Sequence, residues 1–555
     1  MQACRRAAVE RPVVRAGQML LAAAALAWAA GCDAPTPPVA TAQASAGQVR
    51  PPAAAAVTRY AAARFLEQAS FGPTEAEIDR VRSLGYAAWI DEQLALPPTQ
   101  LDGRTARHYD ELADPRARQR EYWNFQRQWY GAALAGRDQL RQRMAYALSQ
   151  IVVISLVNNQ PYGLFEYHNM LQRQAFGAYG VLLRSVSVHP AMGYFLDNVS
   201  NRSAKYCIGC AANENYAREL MQLFSIGLVR LNLDGTPVRD AQGRPIETYT
   251  QQDVSDMARA LTGWEYDYGS TSETYAFLGN TMLGTQPLLH DDDAKTVLGT
   301  AFPAGRTAPQ ELDQAIGVLM AHPNTAPFVS LRLIQRFTAS DPSPAYVGRV
   351  AAVFRNDGRG AVGNLAAVVK AILLDPEARR GDAGTGDAAS FGKVREPVLH
   401  TTGLLRGLGC RGLPYEPTTL QPWLPAMQEA YNAPSVFNFY APTDRAPGSN
   451  LLAPEQALLN GLTFRSWISD LDHIQRNWVL SGVGCDLAPL VQAARRSPQD
   501  FIELVNQRWF RGALPGATRA ALLAAWQNQT VPTMEERVTL VLSFALSSPA
   551  YGAAT

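Results

Sequence analysis

The 555-residue sequence has little lysine, almost no net charge and no familiar catalytic signature. With 50 basic and 49 acidic residues, it lacks the basic excess of a nucleic-acid-binding domain. Because arginine fills nearly every basic position, the few remaining lysines are weak markers of a specific requirement. They are Lys205, Lys295, Lys370 and Lys393. No G-x-S-x-G, H-E-x-x-H, Walker A or G-x-G-x-x-G motif occurs in the structural context that its chemistry requires.

The N-terminus has the pattern of an export signal. Four arginines within the first 15 residues precede the apolar run 19–30, which is too short to span a bilayer comfortably. The run ends before Cys32 in an Ala-Ala-Gly-Cys sequence that resembles a bacterial lipobox, although Ala29 stands where leucine is commonest. We therefore predict a signal peptide over 1–32 and a protein of the periplasm or outer surface, anchored to a membrane by a lipid on Cys32. Simple secretion is the alternative.

The rest of the chain predicts one large all-α domain. Residues 33–57 form a Pro/Ala-rich tether without a core pattern, and residues 58–555 carry helical periodicity. Thr74 and Glu77 predict a helix start by capping box, and Gly85 predicts its end. The periodicity predicts further helices at about 114–135, 138–156, 164–176, 178–188, 309–321, 325–338, 344–356, 362–374, 395–407, 453–471, 498–509, 516–528 and 533–547. Strand signals are confined to a small irregular β-hairpin excursion within 229–285.

The cysteines beyond the leader favour disulfides. Four of them remain after Cys4 and Cys32 are set aside: Cys207, Cys210, Cys410 and Cys485. An even number in an exported protein is typical of disulfide bonding, and the pairing stays open. Redox and zinc roles are less favoured, because the C-x-x-C pair lies in a loop and the other two cysteines stand alone.

Six segments of the chain are similar to one known bacterial family. They are ARFLEQASFGPTEAEIDRVRSLGYAAWIDEQL, NENYARELMQLFSIGL, YTQQDVSDMARALTGW, HPNTAPFVSLRLIQRF, KVREP and PSVFNFYAP. These segments, in this order, resemble the family labelled domain of unknown function 1800. The resemblance implies a mostly helical exported protein, often encoded beside a sulfatase-like partner, and it implies no established activity or catalytic residues.

The segment 213–264 groups charged side chains on two short predicted helices, and it begins directly after the C-x-x-C pair. On a helical wheel, Tyr216 and Leu220 belong to an apolar side that covers more than half of the helix, which predicts a buried helix. Glu214, Arg218 and Glu219 lie on the remaining arc, together with Asn215 and Gln222. This arc is either a satisfied structural network or a functional site, because unpaired buried charges are costly.

The second half of this segment has a more conventional explanation. Thr250 and Asp253 predict a capping box, and Asp256 with Arg259 forms an i, i+3 pair. Trp264 then follows the helix end. It is a candidate stacking platform for a sugar, with core filling as the more common role of such a residue.

The stretch from Leu289 to Lys295 is predicted to be a loop-to-helix junction. It combines an imidazole that titrates near neutral pH, His290, with three aspartates and Lys295. Carboxylates suit Ca²⁺ or Mg²⁺, but the EF-hand loop is absent, so we assign no metal or cofactor. A carboxylate metal site that includes His290 is a third functional possibility.

Two functions remain open at this point. The first is a cell-envelope hydrolase acting on a polysaccharide or a similar polymer. Glu214 and Glu219 would be its acid/base carboxylates and Arg218 its orienting group, with His290 and Lys295 on the opposing wall. Asn215 and Trp264 would contact substrate. The second is a non-enzymatic lipoprotein that binds or scaffolds an exported sulfatase-like protein.

Overall fold

Helices form most of the regular structure in the part of the chain that the computed structural model describes. The described residues are 57–103, 115–156, 161–206, 209–269, 279–285, 289–384, 391–416, 418–419, 421–528 and 530–554. Among these residues, no helix is long and apolar enough to cross a membrane. The predicted leader, tether and lipid site at Cys32 lie outside the described residues.

Ten α-helices lie before residue 300 in the described part of the chain, and the last two belong to the segment 213–264. They are α1 (Arg59–Ala69), α2 (Glu75–Leu84), α3 (Tyr86–Ala95), α4 (Pro115–Ala135), α5 (Gln139–Ser149), α6 (Pro161–Gln174), α7 (Tyr179–Ser187), α8 (Pro190–Phe195), α9 (Asn215–Gln222) and α10 (Gln251–Ala260). As predicted, Thr74 caps α2 by accepting a hydrogen bond from the Glu77 N–H, and Gly85 follows the last residue of the helix.

Most helices after residue 300 begin and end within about three residues of a predicted boundary. The α-helices in this part of the described chain are α11 (Ala308–Ala321), α12 (Thr325–Phe337), α13 (Pro344–Arg355), α14 (Leu365–Leu374), α15 (Pro376–Arg379), α16 (Pro397–Gly407), α17 (Gly461–Ser481), α18 (Ala488–Arg496), α19 (Pro498–Trp509), α20 (Gly516–Gln527), α21 (Met534–Leu546) and α22 (Pro549–Gly552). Of these helices, α15, α18 and α22 were not predicted. The single helix predicted over 453–471 is instead a 3₁₀ turn, Pro454–Leu458, followed by α17. The Asn460 side chain separates the two by accepting hydrogen bonds from the Leu462 and Thr463 N–H groups.

Two small antiparallel sheets complete the regular structure of the described chain. Strand β1 (Lys295–Val297) pairs with β2 (Thr300–Phe302), and β3 (Lys393–Val394) pairs with β4 (Ala553–Ala554). The loop-to-helix junction predicted at Lys295 is therefore wrong. Leu298 and Gly299 both have positive φ, which is the backbone of a tight hairpin turn, and the next helix begins only at Ala308.

The predicted β excursion is an ordered loop with single bridges. Val229 bridges Glu247 and Leu231 bridges Pro237, while Glu265 bridges Leu283. The stretch 270–278 lies outside the described residues.

One disulfide is complete within the described chain. It joins Cys410 to Cys485, with a Cα–Cα distance of 4.0 Å and a sequence separation of 75. Cys210 is also disulfide-bonded, and Cys207 lies outside the described residues. The disulfide prediction is confirmed for Cys410 and Cys485, whose pairing the sequence had left open.

Candidate functional site

Helix α9 forms as the apolar wheel predicts. Just before the helix, the Asn213 side chain accepts a hydrogen bond from the Asn215 N–H at 2.9 Å. Tyr216 and Leu220 are buried. Beyond the helix end, Gly227 has φ +69°, and a Cβ atom there would lie 2.7 Å from the Phe328 ring, so the chain turns where only glycine fits.

Glu214 and Arg218 lie at the solvent edge of this helix. The Arg218 guanidinium contacts the Glu214 carboxylate at 2.9 Å, and about a third of each side chain is exposed. Gln251 from α10 donates to Glu214 at 2.8 Å and accepts from Arg218 at 3.2 Å. These three side chains form a closed hydrogen-bonded ring that ties α9 to α10.

Glu219 is separated from this ring by burial. Only 7% of the residue is exposed, and its Oε2 atom has no hydrogen-bond partner among the described residues. Burial raises the pKa of the Glu219 carboxyl, and the charge of Arg218 opposes that shift. Glu219 is therefore a buried carboxyl group without a hydrogen bond at Oε2, whereas Glu214 is ion-paired at the surface.

His290 and Lys295 meet at a carboxylate that the sequence did not single out, Glu311 on α11. The Lys295 Nζ contacts both Glu311 carboxylate oxygens at 2.7 Å and also donates to the Asp291 carbonyl. The His290 Nε2 lies 3.4 Å from Glu311 Oε2, and its Nδ1 donates to the Thr262 carbonyl at 3.0 Å. Burial raises the pKa of Glu311 to about 7 against the opposing effect of Lys295, and burial lowers the pKa of His290.

A second ion cluster adjoins this one. The Arg259 guanidinium bridges the carboxylates of Asp256 and Asp291, at 2.8 and 3.1 Å. Ser203 also donates to Asp291 at 3.1 Å. Among the described residues, no group of three or more His, Cys, Asp or Glu side chains is arranged to hold a metal ion. The acidic stretch thus anchors the loop to α10 through arginine.

Asn215 lines a cavity with a volume of about 840 Å³. The described lining residues are Tyr194, Phe195, Asp197, Val199, Ser200, Asn201, Arg202, Cys210, Ala211, Asn213 and Asn215. Among the catalytic and substrate-binding residues predicted from the sequence, Asn215 is the one that this lining contains. Glu214 lies between two lining residues, while His290 and Lys295 belong to the buried Glu311 cluster.

The backbone of this cavity is held in an unusual conformation. Asp197 and Ser200 have φ of 56° and 58°, in the left-handed region that non-glycine residues rarely adopt. The Ser200 N–H donates to the Trp264 carbonyl at 2.9 Å, and Trp264 itself is 3% exposed. Trp264 is therefore a core residue whose backbone positions the cavity wall, in agreement with the core-filling interpretation.

Exposed aromatic surface near the cavity comes from tyrosines, and Trp264, the predicted stacking residue, does not contribute to it because it is buried. Tyr194 and Tyr268 are 53% and 61% exposed, and the Tyr266 ring lies 5.9 Å from that of Tyr268 in an edge arrangement. Burial raises the pKa of the Tyr266 phenol, and the neighbouring phenols of Tyr268 and Tyr194 raise it further. The three phenols are thus close to one another beside the cavity.

Comparison with protein families identifies one family whose model matches nearly the whole chain. A family model described as "Protein of unknown function (DUF1800)" matches residues 64–553. The chain belongs to this family. DUF1800 membership confirms the resemblance carried by the six segments, and the family description states no activity. No curated protein and no solved structure matches the chain.

A buried ion network that was not predicted from the sequence includes a segment that carries the family resemblance. Lys393, from the KVREP segment, contacts Glu396 at 3.0 Å and Glu455 at 3.3 Å. Glu396 also accepts hydrogen bonds from Gln150 and Gln428, each at 2.7 Å. The scarcity of lysine was the available signal, since both Lys295 and Lys393 are buried in ion pairs.

Proposed function

We propose that this protein binds a saccharide polymer of the cell envelope or its surroundings in the cavity lined by residues between 194 and 215. The observation that carries the proposal is the combination of a cavity of about 840 Å³ with amide, hydroxyl and carboxylate groups and exposed phenols beside it. Ligand sites have volumes of roughly 300–1,000 Å³ and a few well-placed polar groups.

The polar groups of the cavity are held in place before any ligand arrives. The Asn215 amide donates to Asp197 at 3.0 Å. The Asn201 side chain accepts from the Asn213 N–H at 2.7 Å and donates to the Asn213 carbonyl at 3.2 Å. Such contacts lower the conformational entropy that is lost when a ligand is bound. The hydroxyl groups of a sugar can both donate to and accept from amide and carboxylate groups of this kind.

The phenols supply the second half of saccharide recognition. A tyrosine ring offers an apolar face together with a polar edge, which suits the alternating apolar and hydroxylated surfaces of a sugar ring. Tyr194 lines the cavity, and Tyr268 extends the aromatic surface beyond it. A polymer that occupies the cavity could therefore continue across the tyrosines.

A polysaccharide-binding assay tests this function. Purified mature protein is incubated with neutral, acidic and sulfated glycans, and the bound fraction is measured by sedimentation or calorimetry. Tyr194→Ala and Asn215→Ala are expected to weaken binding at least about tenfold, a loss of roughly 1.4 kcal/mol. Phe437→Ala removes an exposed aromatic outside the cavity lining and is expected to leave binding unchanged. Absence of binding across the panel, or equal losses in all three variants, would contradict the proposal.

Hydrolysis of the bound polymer is the second candidate function. Asp197 lines the cavity, and Glu214 lies between the lining residues Asn213 and Asn215. Many glycoside hydrolases act through two carboxyl groups on either side of the bond that breaks. Glu214→Gln and Asp197→Asn are expected to abolish the release of reducing ends while binding persists. Unchanged release in both variants would remove these carboxylates from the mechanism.

The cellular setting completes the proposal. We expect export and a lipid on Cys32 from the N-terminal pattern. We also expect association with an exported sulfatase-like protein, because the DUF1800 resemblance implies that such a protein is often encoded beside members of the family. A Cys32→Ala variant should move from the membrane fraction to the soluble fraction, as followed by immunoblot. Co-purification of a sulfatase-like protein from native membranes would support a scaffold role. A partner bound equally by the Tyr194→Ala variant would place that contact outside the saccharide cavity.

A further inference from the structure

A second, much smaller cavity lies between α1, α5, α16 and β3. Its volume is about 20 Å³, and roughly 10–15 Å³ is enough for one water molecule. Four charged side chains contribute to its lining: Glu67, Arg143, Lys393 and Arg395. The space therefore suits a single small species and is too small for sulfate, phosphate or a carboxylate ligand.

Positive charges outnumber negative charges in and around this cavity. Glu67 pairs with both Arg395 and Arg511, and Lys393 pairs with Glu396 and Glu455. Arg143 donates to the Arg336 carbonyl, and the buried group formed by these two arginines with Lys393, Arg395, Glu67, Glu396 and Glu455 holds four cations and three carboxylates. One positive charge therefore remains without a carboxylate of this group, even with Arg511, the second partner of Glu67, left out of the count.

Arg143 is the least satisfied of these cations. It is 1% exposed, and its Nη2 donates to the Arg336 carbonyl. Its Nε and Nη1 atoms have no hydrogen-bond partner among the described residues. The Phe337 ring, 5.1 Å from the guanidinium carbon, provides a cation–π contact but accepts no conventional hydrogen bond. Arg143 thus presents buried donors and a full positive charge beside an empty space.

Neither the arginines nor the nearby phenols can remove the excess charge. An arginine does not lose its proton in a protein, so Arg143 and Arg336 stay cationic. Burial raises the pKa of Tyr146 and Tyr440 well above the ordinary value, so both phenols stay neutral. A buried charge without a partner is strongly unfavourable.

We propose that the small cavity binds a monatomic anion, chloride under physiological conditions, held by Arg143, Lys393 and Arg395. A chloride ion is only slightly larger than a water molecule, and it accepts hydrogen bonds from several donors at once. It offsets the excess positive charge and gives Arg143 the acceptor that it lacks. The ion stabilises the junction where segments 63–94, 322–337 and 393–397 of the DUF1800 chain meet.

Thermal unfolding at constant ionic strength tests the site, with chloride replaced by gluconate. The midpoint of wild-type unfolding is expected to rise by about 2–5 °C over a hundredfold increase in chloride. Arg143→Met should abolish this dependence. Arg141→Met is the matched control, because Arg141 is a buried arginine of the same helix that donates to backbone carbonyls outside the cavity lining. A wild-type midpoint that is independent of chloride would overturn the proposal.

Bromide diffraction tests the position of the ion even if the Arg143 variant fails to fold. Crystals of wild-type protein are grown with bromide in place of chloride, and data are collected at the bromine absorption edge. An anomalous peak between Arg143, Lys393 and Arg395 is the expected result. Density for water alone, without an anomalous signal, would overturn the proposal.

Discussion

At the scale of single residues, the Lys295–Glu311 ion pair has no access to water. Neither side chain is exposed, and each depends on the other to balance its charge. Lys295→Met would leave the Glu311 carboxyl buried without the cation that lowers its pKa, so the carboxyl must either stay charged without a partner or take up a proton. We expect this change to lower the free energy of unfolding by about 3–5 kcal/mol, as measured by urea denaturation at neutral pH.

Two companion variants show whether the loss comes from the unpaired charge. Lys295→Met combined with Glu311→Leu should recover much of the stability, because no buried charge then remains. Lys370→Met breaks a pair with Asp91 that is partly exposed on both sides, and it should cost under about 1 kcal/mol. Equal losses for Lys295→Met and Lys370→Met would contradict the argument.

His168 gives the protein a specific sensitivity to acid. Its Nδ1 contacts the Tyr431 hydroxyl and its Nε2 contacts the Gln172 amide, both at 2.7 Å, and burial lowers its pKa from 6.5 to about 3. The unfolded chain therefore binds a proton that the folded chain does not bind between these two values. The stability that neutral His168 contributes is complete above about pH 6.5 and is lost as the pH falls toward 3.

A His168→Gln variant isolates this effect from other titrating groups. Glu219 and Glu311, whose pKa values are raised, change stability in the opposite direction. The difference in unfolding free energy between wild type and variant should fall by about 1.4 kcal/mol per pH unit below pH 6.5. Urea denaturation at several pH values measures this difference. Parallel pH profiles for the two proteins would show that His168 is not the source.

At the scale of secondary-structure elements, local chemistry explains why so many boundaries could be predicted. Thr74 and Thr250 cap their helices through contacts within three residues, so these helix starts are readable from sequence. The strand at Lys295 could not be predicted from local sequence, because the turn that follows it at Leu298 is held by a hydrogen bond to Asp253, 45 residues away. Likewise, only the folded chain brings Glu311 to Lys295. The cavity depends on equally distant contacts, so the sequence suggested Asn215 as a candidate without showing the cavity that Asn215 lines.

Asp253 joins two elements and should therefore matter more than its capping partner. Its Oδ2 accepts from the Thr250 N–H at 2.8 Å, and its Oδ1 accepts from the Leu298 N–H at 2.8 Å. Thr250→Ala should cost about 0.5–2 kcal/mol, as loss of a helix cap does. Asp253→Ala should cost more, because the β1–β2 turn loses its contact as well. Equal unfolding free energies for the two variants would show that the Leu298 contact contributes nothing.

At the scale of the whole molecule, the Cys410–Cys485 disulfide closes a long loop. The two cysteines are 75 residues apart, and they link the end of α16 to the chain before α18. Such a loop loses much of its freedom in the unfolded state, which stabilises the folded state by roughly 4 kcal/mol. The double variant Cys410→Ala, Cys485→Ala should lose about this amount in denaturation, whereas Cys210→Ala should leave this loop closed. Wild-type stability in the double variant would contradict the entropic account.

The pairing of β3 with β4 sets an order on folding. The Arg395 N–H donates to the Gly552 carbonyl, and Ala554 lines the same small cavity as Glu67. Residues near both extremes of the described chain thus line one small cavity, so this part of the core is complete only once residue 554 has been synthesised. Because we propose that the protein is exported, we expect this part of the core to close only after the chain has crossed the membrane.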